Sequence, residues 1–560
     1  MKNIYTTLLL VTVLSVSFNG CSKDFLEENP LAKIAPDNLY VNKAGFEAGL
    51  YGVYNLVRAE RKGIAGASND IASTAAIIGV DNAYSLFPAS GAAESVFNDF
   101  GVRLNPASSY VRDLWAWLYQ IINSTNTIID RAEAAKISWS STDKNQIIGE
   151  AKLIRAWAYR HLTYLWGAVP LTLKESTGAN IKTDWERASV ATIRAAMEAD
   201  LLFAEANLPD VPVLEGRVSK AVATHYLAEL YLAVGANQQA KDKALSLVSN
   251  PNYKLITARY GVQKSLPGTA FTDMFIDGNS NRAEGNTEVL WTFQNQYLST
   301  GGDANIMRRW WVNRYNTIKV GGKTPITYSK ENGGRGLGRF GVTKYALSLY
   351  TPTDDRGSSY AWRMFWIMNN PASLPTGSLA TTTCASPGFT GGKIGDTVKL
   401  SIACNEPAPS ATTAQNWPNT RKWDWAPDDI ADVQNSSGYN DQIYLRLAET
   451  YLILAEAQFK LGDAAGAAAT INTLRARSNA PAITAAQVTL DFILDERSRE
   501  LVTEEHRRYT LNRTGTWFAR TKQYNMYTGA LITLRDTVLP IPQAVIDANL
   551  TKVMPQNNGY

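Results

Sequence analysis

The sequence predicts a mostly α-helical protein, a scaffold of paired helices interrupted by a loop-rich insertion. Three observations carry that reading. Apolar residues recur at alternating three- and four-residue steps toward both ends of the chain, the signature of one buried helix face. Glycines stand where one stripe stops and the next begins, as at Gly235 and Gly462. Between about 252 and 439 the stripes give way to Gly/Pro/Asn/Thr-rich stretches with one clear strand candidate, TEVLWTFQNQ.

In chain order, the first segment is not scaffold at all. Lys2 is followed by the apolar run YTTLLLVTVLSV, too short for the ~20 residues that span a bilayer, and then by SFNGC and the polar SKDFLEENP. Residues 1–20 therefore read as a lipoprotein signal peptide, with Gly20 preceding Cys21 as the lipidation site. Acyl chains on Cys21 would anchor the mature protein to a membrane, each buried methylene adding ~0.8 kcal/mol. Asp24, Glu27 and Glu28 follow closely.

The remainder, 21–560, reads as a single domain, with helical scaffold at about 21–251 and 440–560 and the insertion at about 252–439. GEAKLIRAWAYRHLTYLWG carries Leu153, Trp157, Tyr159, Leu162 and Leu165 on a helix, and Trp115, Trp117 and Trp166 fall on stripes of the same kind. In SKAVATHYLAELYLAVGANQQAKDKALSLVSN the stripe is Leu227, Leu230, Tyr231 and Val234, and Gly235 ends the first helix. Leu445, Ala448, Leu452, Ala455 and Phe459 make another, broken at Gly462-Asp463 and resumed from Ala464 to Arg477. These are helix-turn-helix units of the tetratricopeptide kind, with diverged repeats.

Composition excludes some functions. At 45% hydrophobic and 19% charged, the chain has a globular composition, and 55 Lys+Arg against 51 Asp+Glu is too even for a nucleic-acid footprint. Besides Cys21 there are only Cys384 and Cys404, which could pair across the loop between them or remain two buried thiols. His161 and His225 lie among core-forming residues, and no HExxH, zinc-type or Gly-x-Ser-x-Gly motif is present. Asp495, Glu496, Glu500, Glu504 and Glu505 are interleaved with Arg497, Arg499, Arg507 and Arg508, which predicts ion pairs on a helix surface or against a neighbour rather than a catalytic pair. Glu449 and Glu456 share one face and are expected to bond neighbouring helices or loops. Asp277, Asn279, Asn281 and Glu288 occupy calcium-loop positions, but Arg282 stands where the turn requires glycine, so no metal is expected.

Two patches have the mixture a sugar requires, flat aromatic faces beside planar hydrogen-bonding groups. The first is Tyr297, Arg308, Arg309, Trp310, Trp311, Asn313 and Tyr315; the second is Asp81, Asn82, Tyr84 and Phe87. Loops on a rigid scaffold are where binding residues concentrate.

An ordered set of segments then resembles one family. DFLEENP with Tyr40, Phe46, Gly49, Tyr51 and Tyr54, WAWLYQIINSTNTII, AKLIRAWAYRHLTYLWGAVPL, GRVSKAVATHYLAELYL, YLRLAETYLILAEA, ILDERSRELVTEEHRRYTLNRTGTW and LPIPQAVIDANLTKVMPQNNGY are similar, in that order, to the SusD/RagB family of outer-membrane nutrient-binding lipoproteins. The resemblance implies a SusD-like fold on the outer face of the outer membrane, a SusC-like TonB-dependent transporter as partner, and an oligosaccharide as ligand, with ligand contacts from an N-terminal loop and a mid-chain aromatic loop. A peptide-capturing RagB-like protein is the alternative, a glycan-degrading hydrolase another. No cofactor is expected.

Overall fold

The computed structural model describes residues 36–64, 71–86, 93–134, 137–302, 304–379, 388–389, 391–400, 416–426 and 433–560. Cys21 and the segment before it, Phe87, Cys384 and Cys404 lie outside the described residues.

The scaffold begins with α1 (Lys43–Lys62), α2 (Ser109–Ala134), α3 (Ser141–Trp166), α4 (Val190–Asn207), α5 (Lys220–Ala233) and α6 (Asn237–Val248). It resumes with α7 (Leu447–Lys460), α8 (Ala464–Arg477), α9 (Leu490–Leu501) and α10 (Arg507–Arg513). From α2 to α8 each helix packs on the next, and α6 packs directly on α7 although some 200 residues separate them, so the helical array is continuous and the insertion loops out of it. Local chemistry sets the boundaries. Ser140 and Ser189 cap α3 and α4 by accepting from backbone N–H groups at 3.0 and 3.1 Å, and Asp463 caps α8 at 2.8 Å. Gly462 has a φ of 81°, which lets the chain reverse between α7 and α8.

Two details differ from the periodicity. Leu445 lies in a strand, and the helix starts only at Leu447, because the short apolar run Ile443, Tyr444 and Leu445 fits either period. Val234 caps α5 and is 52% exposed, whereas Leu227, Leu230 and Tyr231 are buried.

The strands are short and antiparallel: β1 (Ala83–Ser85), β2 (Val289–Phe293), β3 (Phe340–Val342), β4 (Trp362–Arg363), β5 (Phe365–Ile367), β6 (Gly388–Phe389), β7 (Thr397–Lys399), β8 (Asn419–Thr420) and β9 (Gln442–Arg446). β1 pairs with β3, β4 with β8, and β5, β7 and β6 form one sheet. The expected strand is β2, which pairs with β9 and thereby joins the two ends of the insertion beside the helices.

A buried ion network locks that junction. Arg446 of β9 bonds Glu288 at 2.9 Å and Glu504 at 2.8 Å; Arg477 of α8 bonds Glu288 at 2.9 Å; Arg356 of the insertion bonds Asp354 and Glu500, each at 2.9 Å. All are buried, so the acidic and basic residues around α9 form an interior network between helices and insertion rather than surface pairs. Glu449 and Glu456 also bond neighbours, Arg497 and Arg513 respectively.

The same network accounts for the calcium-loop pattern. Glu288 is fully buried between two guanidinium groups, Asn279 accepts from Val262 N at 2.9 Å, and Asn281 donates to Asp441 and accepts from Gln294, each at 2.7 Å. Three of the four residues have committed their oxygens or amides elsewhere, so they do not converge on a cation.

Candidate functional site

The structure corrects most of the two aromatic patches. Trp310 and Trp311 are 0% and 1% exposed, with Phe340 of β3 packed against both rings at centroid distances of 5.1 and 5.3 Å. Tyr315 is fully buried and stacks on Trp366 at 4.3 Å in a second core that belongs to the insertion itself. Arg308 and Asn313 are buried and donate to the carbonyl oxygens of Trp425 and Trp417. Asp81 is buried between Arg507 at 2.7 Å and Arg520 at 2.9 Å, Asn82 donates to Ser498 at 3.1 Å, and Tyr84 packs on Tyr527. The first set packs the interior of the insertion, the second the scaffold, and neither offers an open face to a ligand. Arg309 is half-buried, and Tyr297 is 36% exposed, its ring edge-on to Tyr439 at 4.8 Å. The physical reason is that the insertion is thick enough to need its own apolar interior, which loops without a stripe do not announce.

An open cleft lies elsewhere in the insertion, with a volume of about 410 Å³. Its walls are the 259–276 loop, Lys330-Glu331, Tyr360–Arg363 and Arg421–Trp425. The β4–β8 ladder brings the last two together, pairing Trp362 with Thr420, and it continues as Arg421 N–H donates to Ala361 O at 2.8 Å. Phe271 and Phe275 line it too, their ring centroids 5.4 Å apart, edge to face. Beside these rings the Lys422 ammonium is 5.3 Å from each centroid and donates to Glu500 O at 3.0 Å, Val502 O at 3.1 Å and the Glu504 carboxylate. Burial pushes Lys422 down to about 8, against the pull of Glu504. Cleft and ion network thus share one residue.

At the mouth, Tyr360 is 39% exposed and Trp425 is half-buried with the Lys330 ammonium 5.8 Å from its ring centroid. Trp425 Nε1 and Asp273 Oδ1, in two of the lining residues, have no hydrogen-bond partner among the described residues, but both atoms are themselves buried behind the cleft wall. Asp273 Oδ2 accepts from Arg259 at 2.7 Å, and Asp424 accepts from Arg363 at 2.7 Å. Aromatic rings, charged side chains of both signs and a volume within the usual few hundred Å³ suit a polyhydroxylated ligand. Sequence reasoning missed Tyr360, Arg421 and Lys330; for Arg421 the alternation of charge and ring in TRKWDW was the available signal.

Two other places were tested against the same chemistry. A cleft of about 350 Å³ between α1 and the end of β2 exposes Tyr51, but its polar residues satisfy one another: Tyr54 donates to Glu150 at 2.6 Å, and Arg217 bonds that carboxylate at 2.6 Å. Glu60, His161 and His506 place one ligand atom each within 4.8 Å of the others. However, the Arg160 guanidinium can only donate, and it faces His506 Nδ1 at 2.9 Å. The proton of His506 then sits on Nε2, donated to Glu60 at 2.5 Å, while Tyr444 donates to the other carboxylate oxygen at 2.7 Å. His506 offers no lone pair to a cation there.

Comparison with known proteins follows the fold closely. A sequence profile for the SusD family matches residues 270–560, and a second, described as starch-binding associating with outer membrane, matches 62–232. SusD-like protein P25 of Formosa agariphila is 26% identical, with 96% of each chain covered, and SusD-like protein P38 of the same organism is 24% identical over 92% of each. Among solved structures, a laminarin binding SusD-like protein superposes with a TM-score of 0.67 at 22% identity, covering 93% of this chain and 100% of that one. Surface glycan-binding protein A from Bacteroides fluxus gives 0.66 at 17%, covering 92% and 99%. At these identities the structural likeness speaks to fold alone. The profile spanning residues 270–560 covers more than half of the chain, which belongs to the SusD family.

Proposed function

We propose that this protein is a cell-surface lipoprotein that binds an oligosaccharide in the cleft around Trp425 and delivers it to a SusC-like TonB-dependent transporter, without bond chemistry. The observation that carries the reading is the cleft itself: Tyr360 and Trp425 at its mouth, beside charged side chains of both signs. Family membership and the starch-binding profile over 62–232 support a glycan ligand and an outer-membrane setting. Among the described residues, no helix is long and apolar enough to cross a membrane, in keeping with attachment through Cys21. Glycosidic hydrolysis needs two carboxyls acting on one bond, and of the three that line the cleft Asp273 and Asp424 are each engaged by a guanidinium, which leaves Glu331 alone.

Calorimetric titration against a panel of oligosaccharides and mixed peptides tests the ligand. Saturable sugar binding, weakened roughly tenfold or more by Trp425→Ala and by Tyr360→Ala, is the expected result. Peptide binding with silence toward every sugar would replace this reading with the peptide-capturing one. For the setting, the protein should co-purify with a β-barrel from detergent-solubilised membranes, and Cys21→Ser should release it; a membrane-bound Cys21→Ser variant would refute lipid anchoring there.

A further inference from the structure

We propose that the cleft selects anionic glycans, those bearing a uronate carboxylate or a sulfate ester, through the guanidinium of Arg421. The proposal rests on the reading of this cleft as the glycan site.

The argument is a count of charges and of the contacts that hold them. Five basic side chains line the cleft, Arg259, Arg363, Arg421, Lys330 and Lys422, against three carboxylates, Asp273, Glu331 and Asp424. Two of the five are held tightly. Arg259 bonds Asp273 and Leu266 O at 2.7 Å and Gln263 O at 2.8 Å, and Lys422 is held by the ends of the ion network. Asp424, however, serves two guanidinium groups with a single negative charge. Its Oδ2 lies 2.6 Å from Arg363 NH2 and 2.7 Å from Arg363 Nε, but 3.4 Å from Arg421 Nε. Buried Arg363 takes the close geometry and also donates to Glu331 O at 2.9 Å. Arg421 keeps the long contact and reaches Ser359 O only at 3.4 Å.

Arg421 is also the accessible one of the two, its side chain 33% exposed against 4% for Arg363. Its backbone is pinned to Ala361 at the end of the β4–β8 ladder, and its guanidinium reaches towards Ser359 O, the residue before Tyr360. A planar fork with loose partners, in a cleft that also carries Tyr360 and Trp425, fits an oxyanion two N–H groups at a time while the sugar ring stacks on an aromatic side chain. Lys330, over the Trp425 ring, adds positive potential on that side. Glu331 is exposed and opposes it, but one carboxylate does not cancel Lys330 and the surplus charge at Asp424 together.

The test is titration of the protein with size-matched neutral β-glucan, oligogalacturonate and sulfated galactan oligosaccharides at low and high salt. Wild type is compared with Arg421→Gln, Arg421→Lys and Trp425→Ala. At low salt at least one acidic ligand should bind about tenfold or more tighter than the neutral one, and salt should erode the advantage. Arg421→Gln should abolish the preference, Arg421→Lys should keep part of it, and the uronate and sulfate arms identify which anion is taken. Equal binding of neutral and acidic ligands, or a preference that survives Arg421→Gln, would overturn the proposal and leave glycan capture standing. Silence toward all three ligands would overturn both. Thermal melts report whether each variant is folded, and salt dependence of wild-type binding decides the matter if Arg421→Gln is not.

Discussion

Glu456 illustrates how single residues carry this fold. It is fully buried on α7; burial would raise its carboxyl, but Arg513 and Lys460 outweigh that and hold it down to about 2. The unfolded value is about 4.3, so the carboxylate contributes stability that is fully present above that pH and is lost as pH falls toward 2, about 3 kcal/mol in all. Glu456→Gln should therefore cost about 3 kcal/mol at pH 7 in denaturant unfolding, and the difference from wild type should shrink below about pH 4. A difference independent of pH would show that the lost packing, not the charge, matters. Residue identity was otherwise the least legible level. Trp310 and Trp425 both lie in stretches without a helical stripe in the sequence, yet Trp310, on a short helix, is in the core and Trp425 lines a cleft. Nothing within a few residues distinguishes them, because burial in a loop is decided by distant partners such as Phe340.

At the scale of elements the sequence was far more informative. Long helices announce themselves through period and breakers, and α7 and α8 turn at Gly462-Asp463 as expected. What the pattern did not convey is the coupling between elements. The charges around α9 read as ion pairs on the helix surface or against a neighbour, and the structure takes the second: Glu500 and Glu504 reach across to β9, and Arg446 there joins them to Glu288 beside β2. Charges of opposite sign at helical spacing look the same whether water or another element covers them. Because breaking one partner of a buried network strands the rest, Arg446→Met should destabilise the protein by roughly 3–5 kcal/mol. Urea unfolding would measure it, and a variant as stable as wild type would show that apolar packing alone can close the junction.

Over the whole molecule, a continuous helical array, closed where α6 meets α7, holds a thick insertion by a two-stranded junction and a buried ion network. The mostly helical scaffold and its loop-rich insertion were legible from the sequence; the junction, the ion network and the position of the cleft were not, since four separated stretches of the insertion converge to form the cleft. The array gives rigidity, and the insertion places Tyr360, Arg421 and Trp425 on one wall through the β4–β8 ladder. The most direct test of glycan capture at this wall is amide hydrogen exchange of the protein with and without a saturating oligosaccharide. The account predicts slowed exchange confined to the 359–363 and 421–426 segments and the adjoining 259–276 loop. Protection at Arg58 and Gln294, in the cleft between α1 and β2, with none at Arg421–Trp425, would contradict it.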